Sequence, residues 1–307
     1  DLGRHAIAMS RATGLRVAIK IVSDVADGTG NVHLDPDRVV PVIPTIDGQA
    51  YNTRPNSRLL AAEGVEAERD IFEVRDKLAR IYGAENHLNR VTVDPAGAWI
   101  GIVSPGSTHG ETRQALAKLG LDSDRAIGDA GIRILHLQMT SPLDRDMLRQ
   151  FGNGLEEIMV IEDKDPNVER RLKEALYGMA NPPTIVGKTD EHDAPLFPGH
   201  GTLLADDIAV VLRRRLSQRV GAMLTPEIVE REKLLIPLSI DRTPFFCSGC
   251  PHNSSTVVPE GSLVGSGIGC HTMVLLLDED RVGDIVGITA MGNEGTQWIG
   301  MSDFVER

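Results

Sequence analysis

Apolar and polar positions alternate on two different length scales between residues 98 and 187. Short runs at 99–103, 132–137, 157–161 and 184–186 are rich in β-branched residues and read as strands. The stretches between them, 111–119, 144–151 and 166–177, read as helices, and a further helix is expected over 203–219. Strands and helices in alternation are the signature of a parallel, helix-covered sheet, so the pattern predicts one α/β domain over 96–220. Upstream, a helix over 2–11 is ended by Gly14, and 15–22, β-branched and interrupted by Lys20, reads as a strand. Both are expected to be the end of a preceding α/β domain, residues 1–50.

Proline and polar residues between Pro36 and Pro55 break any period and read as a connector. Ser57 then caps a predicted helix that runs to about Tyr82, laced with Glu66, Asp70, Arg69 and Lys77 at helical neighbour spacings. This makes 51–95 a helical connector. A second linker is expected at 221–241, with one short helix after Pro226. Glycine density rises in the last part, 242–307: Gly261, Gly265, Gly267 and Gly269 surround a strand at 263–264, and small residues there let a backbone approach a ligand closely. A buried strand is expected over 285–290, running into Met291-Gly292-Asn293-Glu294-Gly295.

A chain of 307 residues has room for two domains of typical size. Its 32 basic and 44 acidic residues give a net charge of −12, which argues against nucleic acid and anionic membranes as partners. No apolar run approaches the ~20 residues needed to span a bilayer. The first residue is Asp1, inside what reads as a helix already under way, and the chain stops soon after Gly295. An internal piece of a longer polypeptide is therefore expected.

The candidate chemistry lies near the C-terminus, in Phe245-Phe246-Cys247-Ser248-Gly249-Cys250-Pro251-His252 and Gly267-Ile268-Gly269-Cys270-His271-Thr272. These segments hold all three cysteines of the chain. A Cys-x2-Cys turn aims two sulfurs the same way, and a third thiolate among glycines can join them on one soft metal. Reduced, clustered cysteines point to the cytoplasm. Three ligands are one short of a closed site, so the fourth is external or is not a cysteine. Zinc with His252 or His271 as the fourth ligand fits the spacing as well as an iron–sulfur cluster does. A thioredoxin-like dithiol fits less well, because Asn253-Ser254-Ser255-Thr256 and the third cysteine do not match it.

Other motifs read as structural. The loop Ser104-Pro105-Gly106-Ser107-Thr108-His109-Gly110 is expected to be an ordinary strand-to-helix turn, with His109 a lone surface histidine. Glu162-Asp163-Lys164-Asp165 reads as a charge cluster at a helix N-terminus, and Arg213-Arg214-Arg215 as a solvated helix face.

The stretches 242–252 and 267–272 resemble the start of the diphosphate-binding domain of 2-oxoacid:ferredoxin oxidoreductases, and most of all the large, fused bacterial indolepyruvate ferredoxin oxidoreductases. Ala290-Met291-Gly292-Asn293-Glu294-Gly295 with Trp298 and Gly300 fits the same group, which usually has Gly where this chain has Asn293. Ala8-Met9-Ser10-Arg11 with Gly14, Asp35-Pro36-Asp37-Arg38-Val39, Gly154-Leu155-Glu156-Glu157-Ile158 and Val186-Gly187-Lys188 also match. The resemblance implies an α/β architecture: an open parallel sheet domain like the transketolase C-terminal domain, flanked by parts of two thiamine-diphosphate-binding domains.

It also implies oxidative decarboxylation of an arylpyruvate to acyl-coenzyme A, with electrons passed through iron–sulfur clusters to ferredoxin. By position, Cys247, Cys250 and Cys270 resemble three ligands of a [4Fe-4S] cluster. Ser248, Gly249, His252, Gly267, Ile268, Gly269, His271, Thr272, Gly292, Glu294 and Gly295 would line thiamine diphosphate. The family's Gly-Asp-Gly motif for Mg2+ and diphosphate would fall beyond Arg307, and its activating glutamate before Asp1. Residues 1–307 are thus expected to be inactive alone and to belong to a cytoplasmic homodimer. The contrasting expectation is a zinc-binding structural module, with 95–220 a docking surface that organises a dimer.

Overall fold

The computed structural model describes residues 1–33, 35, 37–51, 61–226 and 244–305. The expected cap at Ser57, the short helix after Pro226, most of the 221–241 linker and Arg242 lie outside the described residues. Two compact units divide the chain, Asp1–Val229 and Glu230–Arg307.

The first unit opens with α1 (Leu2–Thr13), closed by Gly14 at φ 70°, a left-handed angle that favours glycine. Its Met9 packs with Ala79 and Tyr82 of α2 (Asp76–Glu85), Leu88 and Met139. A turn of π-helix, Ile71–Arg75, joins α2 to a preceding helix, Ala61–Asp70. The strand predicted over 15–22 does not form. The segment has no strand partner among the described residues, and Ile19 and Ile21 are 44% and 61% exposed. β-Branched residues favour an extended backbone, but only a neighbouring strand makes it a ladder.

The core is a five-stranded sheet of β1 (Asn89–Val93), β2 (Ile100–Pro105), β3 (Ile132–Leu137), β4 (Glu157–Val160) and β5 (Thr184–Val186). Its order is β1-β3-β2-β4-β5. Four strands are parallel as predicted, whereas β1 is an antiparallel edge strand inside the region expected to be a helical connector. Polar positions Asn89, Arg90 and Thr92 dilute its apolar pattern, because an edge strand buries little more than one face. Asn89 ties the edge to the chain beyond β3, accepting from the Gln138 and Met139 amides and donating to the Met139 carbonyl.

Alternate residues of β2 explain the two helical layers. Ile100 and Ile102 join a cluster with α3 (Thr108–Lys118), α4 (Asp124–Asp129) and the last helix of this unit, while Val103 joins a cluster with α5 (Arg145–Gly152) and α6 (Asn167–Leu176). Gly101 faces the second layer, where a Cβ would lie 2.6 Å from Leu155 Cδ1 and 2.8 Å from Phe151. The unit's last helix, α7 (Ala205–Val220), covers the first layer through Ile208, Leu212 and Leu216. The arginine run on α7 is a solvated face only at Arg214, which is exposed. Arg215, 18% exposed at its side chain, bridges Glu157 and Glu191, and Arg213 donates to the Thr225 carbonyl at 2.8 Å. These partners come from distant loops and strand ends, so local sequence could not reveal them.

In the second unit β6 (Leu263–Ser266) and β7 (Asp284–Ile288) pair in parallel. β7 was expected to be buried, yet its residues alternate between exposed and half-buried. Phe246, Val274 and Val282 form the small core. Among the described residues of the chain, no helix is long and apolar enough to cross a membrane.

Candidate metal and cofactor site

The Cys-x2-Cys segment is a tight turn. The Cys250 amide donates to the Cys247 carbonyl at 3.0 Å, and Gly249 takes φ 74°. Pro251 then leads into one helical turn, His252–Ser255. Asn253 Nδ2 donates back to the Cys247 carbonyl at 2.9 Å, and Arg281 Nη2 donates to the Asn253 carbonyl at 2.9 Å. These bonds hold the turn against the core made by Phe246, with Cys250 half-buried and Cys247 exposed. No cysteine is in a disulfide.

The two sequence motifs meet at His252. Its Nδ1 lies 3.2 Å from Cys250 Sγ, and its ring stacks on Phe246 at 5.0 Å and on His271 at 6.0 Å between centroids. His271 Nδ1 accepts from the Gly267 amide at 3.1 Å, which leaves Nε2 to carry the proton of the neutral ring. Thr272 Oγ1 donates to the Gly267 carbonyl at 2.9 Å. Gly269 adopts φ 101° and ψ −148°, a conformation essentially restricted to glycine, and presents Cys270 exposed at the start of the 3-10 helix Cys270–Leu276.

Glycines leave a cradle above β6 and β7. A Cβ on Gly267 would lie 2.6 Å from Glu294 Cγ, so the Glu294 side chain occupies that space. Glu294 Oε1 accepts from the Gly292 amide at 3.2 Å. The backbone amides of Glu294 and Gly292, with His271 nearby, hold its carboxyl below the usual carboxylate range. Gly265 and Gly287 are register partners, and the Gln297 carboxamide lies across both. Gln297 Nε2 and Thr289 Oγ1 are buried without a hydrogen-bond partner.

The structure thus gathers Cys250, His252, Gly267, His271, Thr272, Gly292 and Glu294 through mutual contacts. Ser248, Gly249, Ile268 and Gly295 are exposed. Among the described residues no group of three or more His, Cys, Asp or Glu is arranged to hold a metal ion. The donors nevertheless suit a soft metal in chemical type: three unbridged thiols, two of them from one turn. The glycine cradle and the orphaned Gln297 amide suit an organic cofactor approached by backbone. Gln297 was missed by sequence reading, although its place two residues past Gly295, in a segment already singled out, was a usable signal.

Two structural readings in the first unit change in detail. Glu162 is indeed a helix-terminus carboxylate, 5% exposed, accepting from the Val168 and Glu169 amides at 2.9 Å each. His109, expected as a lone surface residue, is instead stacked on His136.

A sequence model of the family described as "Indolepyruvate oxidoreductase domain" matches residues 89–233. The indolepyruvate oxidoreductase subunit IorA of Pyrococcus horikoshii is 28% identical over 194 residues, covering 59% of this chain and 26% of that protein. The subunit of the same name from Methanothermobacter thermautotrophicus is 27% identical over 267 residues, covering 81% of this chain and 36% of its own length. Among solved structures, a 2-oxoglutarate:ferredoxin oxidoreductase from Magnetococcus marinus aligns with a TM-score of 0.34 and 14% identity, over 53% of this chain and 24% of that one. The chain spans about a quarter to a third of the length of these two curated relatives. The domain match lies over the five-stranded sheet and its covering helices, so it is this part of the chain that is similar to the indolepyruvate oxidoreductase domain.

Proposed function

We propose that the intact protein is a thiamine-diphosphate-dependent 2-oxoacid:ferredoxin oxidoreductase that acts on an arylpyruvate such as indolepyruvate, delivers the acyl group to coenzyme A and passes electrons to ferredoxin. The observation that carries this reading is the meeting of the cysteine turn with the glycine-rich motif at His252, between Phe246 and His271. Cys247, Cys250 and Cys270 supply three thiolates to a [4Fe-4S] cluster, and a fourth ligand completes it. His252 orients the Cys250 sulfur, while His271 and Thr272 brace the Gly267 backbone that faces the cofactor. When bound with Mg2+, thiamine diphosphate supplies the carbanion chemistry that releases carbon dioxide.

The sequence covers only part of its relatives' length, and residues 1–307 alone are proposed to be inactive. We assign 1–50 to the end of one cofactor domain and 242–307 to the start of the other, 51–95 and 221–241 to connectors, the first of which ends in the edge strand β1 that joins the central sheet, and 96–220 to the central domain of a cytoplasmic homodimer.

Anaerobic turnover of the intact protein tests the reading. Methyl viologen reduction that requires thiamine diphosphate, coenzyme A and an arylpyruvate, with iron in excess of zinc, is the expected result. Cys270→Ala is expected to abolish electron transfer and leave the first unit folded. Unchanged reduction in that variant overturns the cluster assignment. One observation favours a second reading, a structural zinc site: an imidazole nitrogen already lies 3.2 Å from the Cys250 thiol. Stoichiometric zinc with no turnover would establish it.

A further inference from the structure

His109 and His136 take no part in the cysteine and cofactor site. They lie in the first unit at the carboxyl ends of the adjacent parallel strands β2 and β3, where His136 is in register with Ser104 on β2 and with Arg90 on β1. The two rings stack with centroids 4.1 Å apart and planes 7° apart. His109 Nδ1 is 3.1 Å from the hydroxyl of Ser104, which is fully buried. His136 Nε2 is buried without a partner.

The stack sits on the turn between β2 and α3. Gly106 takes φ 51° there, and its amide donates to the Leu137 carbonyl of β3 at 2.8 Å. The His109 amide donates to the Gly106 carbonyl at 3.3 Å and the Gly110 amide to the Ser107 carbonyl at 2.9 Å. Ser107 makes no side-chain cap bond, so the imidazole pair supplies an anchor that the capping position lacks.

The charged groups facing the pair are mostly cationic: Arg90 from β1, Arg113 from the next turn of α3, and one carboxylate, Asp124 at the start of α4. Asp124 is already paired with Arg113 at 2.6 Å, so little of its charge remains for an imidazolium. Burial first, then the neighbouring ring and the two arginines, push His109 down to about 4. Burial also lowers His136, with Arg90 in the same direction and the Gly106 backbone opposing. Both rings are therefore neutral near pH 7.

We propose that the His109–His136 stack is a proton-sensitive latch on the β2–α3 turn: two neutral rings hold residues 106–110 against the sheet, and protonating either ring releases them. An imidazolium in the closed turn is partly dehydrated and faces two guanidinium groups, whereas in the open turn it regains water. The open form therefore binds more protons, and the opening equilibrium grows as pH falls below the ordinary imidazole value. The gain is up to about tenfold per pH unit for each ring and levels off near the closed-state value.

Amide hydrogen exchange on the full chain between pH 7.5 and 4, expressed as protection factors, reads this directly. The Gly106, His109 and Gly110 amides are expected to lose protection by up to about tenfold per pH unit for each titrating ring below about 6.5. Amides of Ile102 and Ile134 in the sheet centre should keep theirs. His109→Phe and His136→Phe each keep a stacking ring without a proton site, and should each make the dependence shallower, with the double variant flat. A flat wild-type profile, an equally steep double variant, or loss of sheet protection in parallel overturns the latch. Should a variant fail to fold, the wild-type comparison of turn and sheet amides decides alone.

Discussion

Removing the carboxylate of Glu162 tests how the end of β4 is joined to α6. Its two oxygens accept from the Val168 and Glu169 amides, the first-turn donors of α6 that Pro166 at the N-cap cannot satisfy. Val168 and Glu169 are 2% and 5% exposed, so in Glu162→Ala both amides lose their partner in a dry setting. Each such loss costs about 1–3 kcal/mol.

Part of that cost is returned, because the variant no longer buries a carboxylate. Burial pushes the Glu162 carboxyl above its usual range, against the pull of the two amides and of Lys188. The net expectation is about 2–3 kcal/mol, or a urea midpoint about 1 M lower for a unit of this size. Glu162→Gln keeps one acceptor oxygen and should lose roughly half as much. Trp99, tied to the first unit through the Ala130 carbonyl, reports the transition by fluorescence in a Trp298→Phe background. A midpoint for Glu162→Ala within about 0.2 M of the parent would refute the capping role.

Three further outcomes follow from the same packing. Gly101→Ala pushes a methyl into Leu155 and Phe151 and should destabilise by about 1–3 kcal/mol, measured by the same urea titration; a neutral result means the second helical layer relaxes freely. Arg215→Met leaves Glu157, 14% exposed at its side chain, without its bridge, and should cost about 1–3 kcal/mol in the same urea titration; an unchanged midpoint would show that the bridge does not hold the strand end. The Asp190 carboxyl, which accepts from the His192 and Ala194 amides, should titrate below the ordinary aspartate value by NMR, and an ordinary midpoint would show that this loop does not hold those bonds in solution.

Much of the central domain was legible in the chain because its signals are local. Short β-branched apolar runs bounded by turn residues read as strands, and the helices between them favour parallel pairing; the four strands β2 to β5 follow that pattern. The cysteine and glycine motifs were legible for a similar reason, since turn geometry at Gly249 and Gly269 is set by the residues themselves. What remained hidden depends on partners distant in sequence. The 15–22 segment has strand composition but no neighbour, and β1 finds its place only through β3 and Asn89. Arg215 becomes an internal bridge because Glu157 and Glu191 are brought to it.

The sequence by itself therefore determined the alternating core, the position of the candidate chemistry and the turns that carry it, all properties of neighbouring residues. Tertiary structure alone decided that His252 lies between Phe246 and His271, that Gln297 fills the hollow over Gly265 and Gly287, and that two histidines 27 positions apart share one stack. Such contacts join residues whose spacing carries no periodic signal, and the chain states them only once it is folded.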